Sequence, residues 1–280
     1  QLGAITLSAN SSGIAATVLF DTTSGNKLTA ITSSAITISS GSTDNINYVM
    51  RSVGSPLNPN TIGTNLSRLP GAVTIDNTYG GSSPASGYVT TSNISTAATA
   101  SAGVTINNAI YSTKLISIKG ASYTSQGIAY SAVMNSSAGG VELTGTTYNN
   151  YGVYTSNASL ITANYITING YAAAAVGGWI DYIGALTINS GSTGGDIAIT
   201  ATGASAGGGN GLYQSGAITG ANGSDITFTS NNTITQSGAI TLAANTSGNV
   251  ATLTYDTTGG TKASTITSGT LTLTTGSTSD

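Results

Sequence analysis

The chain has no cysteine and no histidine. The first absence excludes disulfides and thiol chemistry, and the second excludes imidazole catalysis and His-type metal sites. Charge is almost missing as well. Lys and Arg number six and Asp and Glu nine, together 5% of the residues, against roughly a quarter in an average globular protein. Six scattered basic residues in a chain of net charge −3 leave no electrostatic footprint for nucleic acid. No apolar run is long enough to span a membrane as a helix. The best stretch, residues 172–186, falls short of the ~20 residues required and contains Asp181. Only four prolines occur, and no 12-residue amphipathic helical pattern.

What remains is Ile, Val, Leu and Thr in short alternating runs, separated by Gly, Ser and Asn. Disordered chains are rich in charge and poor in β-branched residues, so this composition points to ordered β structure. Residues 141–165 show the unit. Val141 and Leu143 alternate with Glu142 and Thr144, a second run covers 152–155, and a third covers 159–162. Period-two alternation bounded by turn residues is the mark of a half-buried strand. Three strands and three corners make one coil of a β-solenoid.

Neighbouring stretches repeat the unit. Its opening strands begin at Ile116, Val141, Ile166, Ile197 and Ile226, two equal steps followed by two longer ones. Self-similarity at such a period predicts a solenoid. The expected fold class is an all-β parallel β-helix with three strands per coil and about 25–31 residues per coil. The alternation places Val141, Leu143, Ile166, Ile168, Ile197, Ile199, Ile226 and Phe228 inward. It places Glu142, Lys119, Thr167, Ala198 and Thr227 outward. In the first coil, Ile5–Leu7, residues 16–20 and residues 30–32 are expected strands, with Ile36 opening the next. The spacing of Ile166 and Ile197 also separates Val73 from Val104 and Ile240 from Leu271, whereas Val104 to Ile116 and Ile226 to Ile240 are too short for a full coil.

A duplication organises the whole. Residues 1–45 align without gaps to residues 236–280, with about half the positions identical. Asp21, Gly25 and Lys27 recur as Asp256, Gly260 and Lys262. The domain expectation is one continuous solenoid over residues 1–280, a window on a longer tandem array, with 236–280 restarting the repeat begun at 1–45. The opening Gln1-Leu2-Gly3 is neither an initiator Met nor a signal peptide, in keeping with an excerpt. Residues 46–72, most clearly 47–71, read as a loop excursion. They hold Arg51, Arg68, Pro56, Pro59 and Pro70, and proline cannot donate to a ladder. A second irregular stretch, 171–184, contains the single Trp, Trp179, and reads either as a wide loop or as a tightly packed coil.

The stretches 195–232 and 236–249, GDIAIT…YQSGAITGANGSDITFTSNN and QSGAITLAANTSGN, resemble bacterial filamentous-haemagglutinin-like exoproteins and related giant β-solenoid surface adhesins. The resemblance covers most of the chain outside 47–71. It implies a right-handed parallel β-helix, secretion across an outer membrane, and a role as an extracellular fibre or adhesin at the bacterial cell surface. The partners it implies are further copies of the repeat and surface glycans.

Candidate chemistry is sparse. Asp196 and Asp225 precede the opening strands of successive coils and are expected to stack at one corner. Such a pair could act as acid and nucleophile or hold calcium; the plainer reading is two turn-capping residues. Tyr130, Tyr154 and Tyr213 share one slot in their units, as a structural aromatic column or as a sugar-binding stripe. Residues 270–274, TLTLT, raise ice binding, against which the threonine rows read as discontinuous. The sequons at Asn10, Asn65 and Asn93 are expected by chance in so Asn- and Ser-rich a chain. No residue is assigned a catalytic, cofactor-binding or metal-ligating role, and no cofactor is expected. The expected function is a structural scaffold, with a carbohydrate-binding or polysaccharide-degrading β-helix and an ice-binding solenoid as alternatives.

Overall fold

The computed structural model describes residues 3–7, 14–22, 31–38, 45–52, 54–78, 101–155, 159–173, 180–190, 192, 195–203, 211–243, 250–258 and 265–273. These residues form a parallel β-solenoid with three walls and no helix. The long wall has nine strands: Ala16–Thr22, Ile46–Ser52, Val73–Asp76, Ile116–Ser122, Val141–Thr147, Ile166–Ala172, Ile197–Gly203, Ile226–Ser230 and Leu253–Asp256. The second wall also has nine, running from Ile31–Thr32 to Ile266–Thr267. The third wall has seven, from Ile110–Ser112 to Leu271–Leu273. Bridges through Ile62 join it to the pair formed by Ile5–Leu7 and Ile36–Ile38.

The expected register holds. Ile116, Val141, Ile166, Ile197 and Ile226 are consecutive partners in the long wall. All eight residues assigned inward are fully buried, while Glu142, Thr167, Ala198 and Thr227 are half-buried and Lys119 is exposed. A side-chain period of two and one buried face enforce this alternation, since a one-residue slip would turn every aliphatic outward. The stacked Ile, Val and Leu rows form one continuous core along the axis.

Four expectations need correction. Residues 46–72 are not an excursion. Ile46–Ser52 pairs along both edges, with Ala16–Thr22 and Val73–Asp76. Leu57 pairs with Ile31 and Val104, Ile62 bridges Ile36 and Ile110, and Leu69 bridges Ser112. Tyr48, Met50, Leu57, Ile62 and Leu69 are all fully buried. Pro56 and Pro59 flank the two-residue strand Leu57–Asn58 instead of interrupting it. The real excursion is the short bulge 63–68 in the third wall, which begins at Gly63 with φ +66 and puts Leu66 fully into solvent.

The spacing of Val73 and Val104 is also not a coil step. Val73 belongs to the long wall and pairs with Ile116, and Val104 belongs to the second wall and pairs with Ile128. The short steps are therefore passages from wall to wall. Ile5, Ile36, Ile240 and Leu271 lie in the third wall, where Ile5 pairs with Ile36 and Ile240 with Leu271. The third and fourth corrections, to the tyrosine slot and the threonine rows, are given with the surface below.

Corners are closed by polar groups that alternation alone does not reveal. Ser112 and Ser136 are rung neighbours, fully buried between the third and long walls. The Ser136 hydroxyl donates to the Lys114 carbonyl at 2.6 Å and accepts from the Gly139 amide at 3.0 Å. Gln214 and Gln236 stack in the second wall, and each donates its side-chain amide to a carbonyl two residues ahead, Gly216 and Gly238. Backbone groups that leave the ladder at a corner are satisfied in this way instead of being buried without partners.

Candidate functional surface

Every wall turns short hydroxyl, amide or methyl side chains outward, so a functional site must be built from the few larger groups among them. The most ordered set is a charged column on the long wall. Asp21, Arg51, Asp76 and Lys119 occupy consecutive rungs. Arg51 donates its Nε and Nη2 to one Asp21 oxygen at 2.9 and 2.7 Å. Asp76 accepts from the Thr78 amide at 2.7 Å and its hydroxyl at 2.6 Å. Charges of alternating sign at a spacing of about 4.8 Å attract down the column. The Asp21–Arg51 ion pair is partly exposed and contributes only about 0.2–1 kcal/mol. Sequence reading missed it because its members are far apart and unequally spaced along the chain; ladder pairing alone brings them together.

Asp196 and Asp225 do meet at one corner. The Asp225 amide donates to the Asp196 carboxylate at 3.3 Å, and the Thr252 amide to the Asp225 carboxylate at 2.7 Å. Each carboxylate thus caps a backbone amide of the following coil. Both residues face solvent. Among the described residues no three acidic side chains gather as a metal-binding group.

Tyr154 and Tyr213 share the slot, each following a partner of Ile180, but Tyr130 does not. Tyr154 pairs with Ala129, and Tyr130 pairs with Thr155. The one-residue offset puts Tyr130 inside the core and leaves Tyr154 and Tyr213 half-exposed. Burial pushes the Tyr130 phenol well above its ordinary pKa. Aromatic stacking occurs instead at the corner after the long wall. Tyr123 and Tyr148 stack with centroids 4.8 Å apart and planes within 4°, and Tyr151 stacks on Tyr154 at 5.6 Å. Tyr165, also exposed, donates to Glu142 at 3.0 Å.

Arg68 is held in the bulge 63–68. Its guanidinium lies 5.6 Å from the Tyr111 ring centre and donates to Asn135 Oδ1 at 2.7 Å and Asn65 Oδ1 at 2.5 Å. On the same wall the threonine row is continuous, contrary to expectation. Thr162, Thr187, Thr219, Thr241 and Thr272 are rung neighbours in one column. The spacing of threonines along the chain conceals this, because the intervening coils differ in length. Trp179, Lys27, Lys262, Asn10, Asn93 and Thr274 lie outside the described residues.

Comparison with known proteins yields no matching family model, no matching curated protein and no matching solved structure.

Proposed function

We propose that this chain is a scaffold segment of an extracellular fibre or adhesin, whose work is length, rigidity and regular display. The observation that carries the reading is the in-phase stacking of three parallel walls around one aliphatic core, with small hydroxyl and amide groups outward. A stack stabilised by nearest neighbours resists bending and can be lengthened without redesign. The likeness of the repeats to filamentous-haemagglutinin-like proteins supports placement at the bacterial surface. The reading assigns the chain no reaction and no cofactor.

The test is to image the natural full-length product at the surface of its cells and to assay it against common polysaccharides. Unbranched rods without polysaccharide cleavage are expected. Cleavage abolished by Asp196→Asn or Asp225→Asn would overturn the reading.

Carbohydrate binding is the second reading, favoured by the stacked pairs at the tyrosine corner. Aromatic faces are apolar platforms with polar rims, suited to sugar rings. Glycan-array binding that disappears in Tyr148→Ala would establish it. The continuous threonine column is the one observation favouring ice binding, which thermal hysteresis would reveal.

A further inference from the structure

We propose that Tyr123 and Tyr148 form a modification site, where a peroxidase-class oxidant acting with hydrogen peroxide couples the two phenols into a dityrosine that staples successive coils. The scaffold reading gives the staple its purpose, but the chemistry does not depend on that reading.

The first observation is placement. Tyr123 and Tyr148 follow the rung partners Ser122 and Thr147 at the end of the long wall, and the Tyr148 amide donates to the Ser122 carbonyl at 3.3 Å. The ladder therefore delivers the same side chain to the same corner of two successive coils. The rings stack with centroids 4.8 Å apart and planes within 4°. Further bonds between the coils frame the stack. The Thr147 hydroxyl donates to the Ser125 carbonyl at 2.8 Å, and the Asn150 side-chain amide to the Thr124 carbonyl at 3.2 Å. Both corners are thus fixed before any reaction, which turns a bimolecular radical coupling into a local one.

The second observation is access. Tyr148 is 38% exposed and Tyr123 half-buried, so an oxidant in solution reaches the pair from outside. Met50 and Met134 are fully buried, Tyr48 and Tyr130 are buried with them, and the chain has no cysteine to intercept the oxidant. Tyr165 is 37% exposed, nearly the same as Tyr148, but its hydroxyl donates to Glu142 and no described tyrosine ring stacks on it. Tyr151 and Tyr154 stack at 5.6 Å within one coil, where coupling ties nothing to the next. Exposure lets several tyrosines become radicals. Among the described residues, the stack at 123 and 148 is the one that offers such a radical an equal partner across a rung.

The step balances as follows. The oxidant takes one electron and one proton from each hydroxyl, leaving two phenoxyl radicals whose unpaired electrons spread to the ring carbons ortho to oxygen. One Cε atom of Tyr123 bonds to one Cε atom of Tyr148. The hydrogens those carbons carried pass to the oxygens, and both phenols are restored. One C–C bond has replaced two C–H bonds, and the two electrons and two protons reduce one hydrogen peroxide to two waters. A chain without cysteine forms no disulfide. A bond from 123 to 148 does the same work, because it restricts the unfolded chain more than the native one.

The single glutamate provides the assay. Glu142 lies between the two tyrosines in sequence. Cleavage after it in denaturant parts residues 1–142 from 143–280 unless a cross-link spans the cut. The folded chain, dilute enough to keep coupling within one molecule, is treated with a plant peroxidase and hydrogen peroxide, then unfolded and cut with glutamyl endopeptidase. The expected product is a monomer with dityrosine fluorescence whose two halves migrate together, the linked peptide lacking two hydrogens. Tyr123→Phe and Tyr148→Phe keep the ring and the stack but remove the phenol, and each should lower the joined product about tenfold. Tyr165→Phe, matched to Tyr148 in exposure, should leave it unchanged. Oxidised wild type should melt several degrees above untreated wild type, and Tyr148→Phe should gain nothing on oxidation. Halves that separate in oxidised wild type of native circular dichroism would overturn the staple, as would joined product that falls equally in Tyr165→Phe. Polysaccharide cleavage would overturn the scaffold reading whatever the cross-linking shows.

Discussion

Single side chains matter here according to the face they occupy. Ile168 is fully buried and its neighbour Thr167 half-buried. Ile168→Asp buries a charge with no partner and removes an aliphatic rung, a loss of about 4 kcal/mol or more. Thr167→Asp should fall within about 0.5 kcal/mol of wild type. Thermal unfolding of the two variants checks this, and similar melting temperatures would refute the register. Tyr48 sets an alkaline limit. Its hydroxyl donates to Ser33 at 2.9 Å inside the core, and burial pushes its pKa to about 12. The phenol is neutral when protonated, so the fold holds this proton more tightly than the unfolded chain does. Its contribution is intact below pH 10 and is lost as pH rises from 10 through 12. Tyr48→Phe should be less stable at pH 8 and should lose less stability over that window, as chemical denaturation at each pH would show.

At the scale of the element, the corners decide how long each strand can run. Gly145 lies within Val141–Thr147 where the next strand's approach is closest, and a Cβ there would collide with the Gly152 carbonyl. Gly120 stands in the same relation to Gly127, one rung away. Both collisions are with backbone, which cannot rotate aside. Gly145→Val should lower stability by several kcal/mol and open that corner first, seen as faster amide exchange at Val153–Thr155 than at Leu160–Ala163. Strand existence and facing were readable from alternation, and the unit at 141–165 was placed nearly as it stands. Residues 46–72 were misread because prolines were weighed above the alternating Ile46, Tyr48 and Met50 beside them. Position decides what a proline costs, and these sit beside a strand instead of within one.

At the scale of the whole stack, stability is shared between neighbouring coils. The middle rungs bury their aliphatics completely, while Ile266, Leu271 and Leu273 in the last coil are 45–63% exposed. Hydrogen exchange should therefore be graded, slowest around Val141–Thr147 and Ile166–Ala172 and fastest in the first and last coils. A single exchange rate across all coils would contradict nearest-neighbour stacking.

The residue pattern alone determined the strands, their inward faces, the coil as the unit, and the return of 1–45 as 236–280, because each can be read along the chain without knowing what stacks on what. Tertiary structure decided which rungs share a column, since coils of unequal length hide that phase in any linear reading. Only stacking places Asp21 beside Arg51, lines up five threonines, separates Tyr130 from Tyr154, and makes the duplicated repeat a whole number of coils. The physical reason is the ladder itself. Backbone hydrogen bonding between coils fixes register at about 4.8 Å per rung, whatever length of chain is spent in the corners.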